Sequence, residues 1–378
     1  VLLRSSLAMK NIILPLGISF LTFQQIAYAV DSYRGETEGY SFLDYAVFAA
    51  FFPRLIAGPI VLHHEIIPQL NERKNHSINY DNFAYGILMF TIGLAKKIFI
   101  ADVFAQAVTW GYGSVSTLTS LDAFIVMLSY TLQIYFDFSS YTDMAIGIGL
   151  MFNIKLPINF NSPYKARSIQ DFWKRWHITL TRFLTKYVYI PLGGNRQGPF
   201  RTYANIMIVF LISGLWHGAN WTFVLWGFLH GLASVLHRRF APAWNKLHTV
   251  LQWFITFLFV NLAWVFFRAD TITQGFVLIK KMAELKSLAV SHSLLKCFEL
   301  PVITWLKRLF YSAPSGSWAI GLDMLLFLAF TFIILLLFKN LHEIEFKPTL
   351  LNGMLTAVLL VCSILSMSSI TSFIYQAF

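Results

Sequence analysis

Several long stretches of this chain carry no Asp, Glu, Lys or Arg, and they fix its fold class before any motif is read. Thr202–Leu229, Thr249–Phe267 and Thr349–Phe378 have no formal charge, and Asn11–Val30 has none either. A run of roughly 20 apolar residues reads as a membrane-spanning helix, because in lipid each backbone N–H and C=O must pair within its own segment. Other runs are interrupted in informative ways. Ser41–Ile60 carries Asp44 and Arg54, and its Pro53 predicts a kink or a re-entrant end. Phe83–Ala107 contains Lys96, Lys97 and Asp102, so a break or an approach to the interface is expected there. Leu121–Phe152 holds Asp137 and Asp143 in its interior, and Trp318–Phe338 holds only Asp323. The pattern predicts an all-α polytopic protein with about eight to ten membrane-embedded helices.

Charge supports that reading and narrows the partners. Only 12% of residues are charged, against about 25% in a soluble domain. The net charge of +11 does not imply nucleic acid, because most Lys and Arg stand between the apolar runs, where cytoplasmic loops meet anionic headgroups. A polyanionic co-substrate could share those cations. Lys96-Lys97, residues 165–201 and Arg238-Arg239 are the expected cytoplasmic faces. Cys297 and Cys362 have no metal-type spacing and suggest no disulfide framework. The chain starts at Val1 with no signal peptide, and one or more preceding spanning helices are expected to be missing. It reads as a single membrane domain over 1–378, in which Pro157–Arg201 is a basic interfacial or re-entrant segment and Arg268–Ser317 an amphipathic linker. No Gly-x-Ser-x-Gly or Walker-type motif is found, so neither a serine hydrolase nor an ATP-driven pump is supported.

Two histidines stand out. His217 lies within "SGLWHGANW", inside the charge-free run from Thr202 to Leu229. Gly214 and Gly218 flank it in a Gly-x-x-x-Gly pattern that would let a second helix approach. Asn220 and Trp221, three and four residues on, would share its helical face. At that depth the ring is either a neutral general base facing a cavity or a structural histidine bonded across helices. His177 closes "SIQDFWKRWH". Ser168 stands three residues before Asp171, a capping-box spacing, and Asp171 pairs in register with Arg175. His177 is expected to share a helical face with Trp173 and Thr181. Lys174, Arg175, Arg182 and Arg196 add cations suited to phosphate or pyrophosphate, and an interfacial helix with a positive face fits the same spacing. Asp137, in "QIYFDFSSYTDM", is expected to meet Gln133 and Tyr141 in a buried polar network. Lys96-Lys97 reads as a snorkelling interface anchor, and His230 and His237 as packing residues.

Taken in order, "LPLGISFLTFQQIAYAVDSYRG", "FFPRLIAGPI", "YTLQIYFDFSSYTDMAIGIG", "LPINFNSPYKARSIQDFWKRWHITLTRFL", "YIPLGGNR" and "GLWHGANWTFVLWGFLHG" resemble the membrane-bound O-acyltransferase family. The nearest branch contains the bacterial alginate and peptidoglycan O-acetyltransferases, with the teichoic acid D-alanyl transferase as a relative. The resemblance runs from about residue 14 to 240. It implies a helical horseshoe with re-entrant helices around a central tunnel, in a bacterial plasma membrane. It makes His217 the catalytic histidine and His177 the second functional one. Trp176 and Trp216, which precede them, join Asn220 and Asp137 as tunnel or positioning residues. It implies acetyl-CoA as a co-substrate, no permanently bound cofactor, an extracytoplasmic esterase-like partner and a polysaccharide acceptor; a carrier-protein thioester is the alternative donor. The terminal "SFIYQAF" resembles the Phe-Ile-Tyr end of this branch and makes Tyr375 a candidate acyl relay, with Gln376 and Ala377 where an aromatic usually follows. Ser140 and Ser213 stand where the family carries glycine.

Overall fold

The computed structural model describes residues 17–54, 58–299, 317–344, 347–367 and 373–374, and every regular element among them is helical. The first part comprises α1 (Ile18–Tyr33), α2 (Phe42–Ala50), α3 (His63–Asn71), α4 (Tyr80–Lys96), α5 (Asp102–Gly113) and α6 (Ser120–Met151). Two short helices follow, α7 (Ile169–Arg175) and α8 (Ile178–Leu184), then the long α9 (Gly198–His217) and α10 (Trp221–Arg239). The last part holds α11 (Ala241–Trp244), α12 (Thr249–Arg268), α13 (Ile272–Glu284), α14 (His292–Lys296), α15 (Ser317–Leu337) and α16 (Leu350–Leu365).

The bundle is organised around α6. A reciprocal capping box fixes its start: the Thr119 hydroxyl accepts from the Asp122 amide, and the Asp122 carboxylate accepts from the Thr119 amide. Thirty-two residues follow without a break, and α4, α5, α12 and α13 pack on several sides of them. The α4 contact is backbone to backbone: a side chain at Gly86 would strike the Gly147 carbonyl, and one at Gly147 the Gly86 carbonyl. Thr131 on α6 donates to Asn261 on α12 at 2.6 Å, which satisfies two polar groups that apolar surroundings would otherwise penalise.

Three described helices are long and apolar enough to cross a membrane: α6, α12 and residues 320–337 of α15. Their settings differ. Seventy-eight per cent of the apolar window of α6 is buried in the protein, against 22% for α15, so α6 is a core helix and α15 presents most of its surface outward.

Three expectations change. The charge-free run Thr202–Leu229 is not one spanning segment but two helices, α9 and α10, meeting at a turn over residues 218–220. Gly214 does pack closely against a partner, but its counterpart is Gly227 on α10 rather than Gly218. A side chain at Gly214 would collide with the Phe223 carbonyl oxygen, and one at Gly227 with that of Phe210. The break expected near Lys96-Lys97 is present as a π-helical turn, Lys97–Ala101. It does not send Lys97 to the interface: the side chain is buried, its Nζ 2.6 Å from Asp137 and 2.8 Å from Asp102. Lys96 pairs with Asp143 at 2.7 Å.

Candidate active site

The basic segment supplies the first histidine by breaking a helix. Ser168 caps α7, its hydroxyl accepting from the Asp171 amide, and Asp171 then takes the Arg175 Nε at 2.7 Å. The helix ends at Arg175, so His177 does not share a continuous helical face with Trp173 and Thr181. It stands between α7 and α8 with φ 44°, a left-handed conformation that non-glycine residues seldom adopt and that costs about 1–3 kcal/mol. Neighbours fix this shape. The Asn159 carbonyl accepts from the Ile178 amide at 3.0 Å, and the Asn159 side chain accepts from the Thr179 hydroxyl at 2.6 Å. The Thr179 hydroxyl in turn accepts from the Ile60 amide at 3.0 Å. The imidazole is 1% exposed, stacked on Phe20 at 6.1 Å and edge-on to Phe138 at 4.8 Å.

His217 is the last residue of α9 and is 3% exposed. Its ring contacts Trp216 (4.7 Å between centroids), Phe267 (4.9 Å) and Trp226 (5.3 Å). Trp216 also lies 6.3 Å from the His177 ring, so one indole touches both histidines. Residues 40 apart in sequence, each at a helix end, thus converge on Trp216, which packs further on Phe20 and Phe23.

A cavity of about 460 Å³ opens beside this centre, lined by Trp173, Lys174, Ile178, Thr181, Arg182, Thr185, Lys186 and Ile190. Of these, Trp173 packs on Trp226 at 5.8 Å, which in turn packs on His217. The cations expected to cluster are sorted by the fold. Lys174 and Arg182 reach the cavity. Arg175 is turned to Asp171 and to the Asn161 carbonyl, and Arg196 is exposed in the loop after Gly193-Gly194, outside the cavity lining. Arg182 is already engaged, forked onto both carboxylate oxygens of Glu65 and donating to the Ile60 carbonyl. Lys186, one turn beyond Arg182 and not singled out from the sequence, joins the lining. Its Nζ also bridges Asp31 (3.0 Å) and Glu36 (3.2 Å), and Tyr187 donates to Asp31 at 2.6 Å. Asp31, Glu36 and His63 approach one another closely enough to hold a metal ion, but the Lys186 ammonium already supplies the positive charge there. Burial holds His63 below the ordinary imidazole pKa, and the facing Asp31 opposes that shift.

The family model described as MBOAT, membrane-bound O-acyltransferase family, matches residues 9–273. The chain belongs to the membrane-bound O-acyltransferase family. It is 49% identical to a peptidoglycan O-acetyltransferase of Helicobacter pylori over 76% of its own length and 60% of that protein. It is 44% identical to a probable alginate O-acetylase of Pseudomonas aeruginosa over 72% of its length and 52% of that protein. A teichoic acid D-alanyltransferase of Bacillus subtilis matches at 27% over 66% of the chain and 67% of that protein. The chain spans between half and three fifths of the length of the first two relatives.

The remaining candidate residues of this family member fall in different places. Asn220 does not share the His217 face: it caps α10, its side chain accepting from the Thr222 amide and donating to the Asp270 carbonyl at 2.9 Å. Trp221 is exposed. Trp176 is a core residue, stacked on Phe172 at 5.6 Å and packed on Trp264 at 5.0 Å. Asp137 takes Lys97 and the Ile374 amide (2.8 Å) rather than Gln133 and Tyr141. It therefore ties α6 to the tail, whose Phe373 lies under the Lys97 ammonium and against Tyr141. Tyr375, next in sequence, lies outside the described residues.

Proposed function

We propose that the chain is the membrane-embedded acyl-transfer unit of a bacterial polysaccharide O-acetyltransferase. It takes acetyl from acetyl-CoA on the cytoplasmic side and passes it, with an extracytoplasmic esterase-like partner, to a polysaccharide such as peptidoglycan or alginate. The observation that carries this reading is the meeting of His177 and His217 on the Trp216 indole at two helix ends. The acetylating relatives, closer in identity than the D-alanylating one, favour acetyl as the group transferred.

In this mechanism the donor lies in the cavity beside α8, with its phosphates toward Lys174 and its pantetheine arm along Ile178 and Ile190. The thioester passes Trp173 toward His217. His217 removes the proton from an attacking hydroxyl as that oxygen bonds to the carbonyl carbon, and returns it to the departing CoA sulfur. His177 orients the thioester. General-base assistance contributes roughly 10²–10⁴-fold, so positioning must supply much of the remaining acceleration. The attacking hydroxyl belongs to a sugar, to the partner or to Tyr375.

Purified protein supplied with labelled acetyl-CoA and the partner should release CoA and transfer label, and a folded His217→Ala variant should do neither. Wild-type turnover by that variant would reduce the chain to a non-catalytic carrier. Turnover with a carrier-protein thioester and none with acetyl-CoA would move it to the D-alanylating type.

A further inference from the structure

Next to His217 lies a group of buried hydrogen-bond donors for which packing alone gives no reason. Trp226 and His230 are four residues apart on α10 and share a face, and Trp264 of α12 stacks on Trp226 at 5.7 Å and 17°. The His230 ring lies 4.9 Å from Trp226 and 6.2 Å from Trp264, and all three residues are at most 1% exposed. The Nδ1 of His230 accepts from the Trp173 indole N–H at 3.2 Å, so the neutral ring carries its proton on Nε2. That Nε2, the Trp226 Nε1 and the Trp264 Nε1 are all buried, and none has an acceptor among the described residues. The Trp216 Nε1, on another side of His217, is in the same condition. Phenylalanine would fill much of the same volume without burying a donor, and each such donor left unmatched is destabilising. Buried polar groups without a partner in a native protein call for an explanation, and an acceptor delivered by a ligand is one.

We propose that Trp226, Trp264 and His230 form a donor pocket for the carbonyl oxygen of the acyl group, beside the base that acts on the attacking hydroxyl. The inference rests on the acetyltransferase reading above and adds residues to it. A carbonyl oxygen has two lone pairs and no proton, which complements a site built only of N–H groups. When the hydroxyl oxygen bonds to the carbonyl carbon, the π pair moves onto that oxygen, and donors already in place stabilise the negative charge without reorganising. As the pair returns, the carbon–sulfur bond breaks and the thiolate takes the proton from His217, leaving ester and thiol. Trp173 couples this pocket to the donor cavity: it walls the cavity and donates to His230.

The test uses two inert mimics of acetyl-CoA and the purified full chain in lipid nanodiscs. One mimic is a ketone, with CH₂ replacing the thioester sulfur. The other has CH₂ in place of both the sulfur and the carbonyl. Wild type should bind the ketone about tenfold more tightly than the reduced mimic. Trp226→Phe and Trp264→Phe, which keep an aromatic ring but lose the N–H, should bring that ratio toward one. Their affinity for the reduced mimic should stay at the wild-type value, which also reports that they are folded. Equal binding of both mimics by wild type, or an unchanged ratio in both variants, overturns the donor pocket and leaves the acetyl-CoA reading standing. Failure of wild type to bind either mimic removes the acetyl-CoA reading, and this inference with it.

Discussion

His177 and His217 occupy similar ground by opposite means. Both rings are buried, both stand at a helix end, and both touch Trp216. At His177 the histidine itself makes the break, taking a left-handed φ of 44° that the Asn159–Thr179 hydrogen bonds hold in place. At His217 the backbone stays helical to the last residue. The position of the ring is set by the glycine contact that clamps α9 to α10. One site is positioned through local conformational strain, the other through close packing of two long helices. Substitutions around each should therefore fail differently.

The largest expected effect separates chemistry from scaffold. His217→Ala should lower the rate of acetyl transfer by about 10²–10⁴-fold while thermal unfolding stays close to wild type. A similar loss of folding would show the ring to be mainly structural. Gly214→Val attacks the clamp instead. Overpacking of this kind costs roughly 1–3 kcal/mol or more, and should appear as a lowered unfolding midpoint together with lost activity. Asn159→Ala attacks the hydrogen bonds at the other site. It leaves the buried Thr179 hydroxyl without its acceptor, which should cost about 1–3 kcal/mol by denaturant titration and leave the α9–α10 hairpin intact in hydrogen exchange. A finer comparison tests the strain. His177→Gly should be more stable than His177→Ala by about 1 kcal/mol, because glycine adopts φ 44° readily, and the reverse order would show that the left-handed turn carries no strain. The smallest effect is expected at Arg196→Ala: the side chain is exposed and outside the cavity, so KM for acetyl-CoA should be unchanged, whereas Lys174→Ala should raise it.

Much of this was legible where short-range rules govern. The charge-free stretch Thr249–Phe267 marks α12, the apolar run Trp318–Phe338 with its single Asp323 marks α15, and the Ser168 cap and the Asp171–Arg175 pair follow from spacings of three and four residues. The features that escaped depend on partners far along the chain. Lys97 reads as an interface residue until Asp137, forty residues on, is brought beside it by the packing of α4 on α6. The turn at residues 218–220 is hidden because no charge marks it. Its cue was Asn220, a good cap for the helix that follows, but Gly214 and Gly218 at helical spacing suggested continuity. Trp173, Lys186 and the indole donors near His217 are ordinary aromatic or basic residues by sequence. They gain meaning only when α7, α10 and α12 bring them together.

The clamp at Gly214 and Gly227 has a mechanical corollary. Two rods in backbone contact along their flanks slide or bend independently only with difficulty, so the His217 imidazole at their tip has little freedom to swing. Motion around that ring then falls to its neighbours rather than to the two helices themselves.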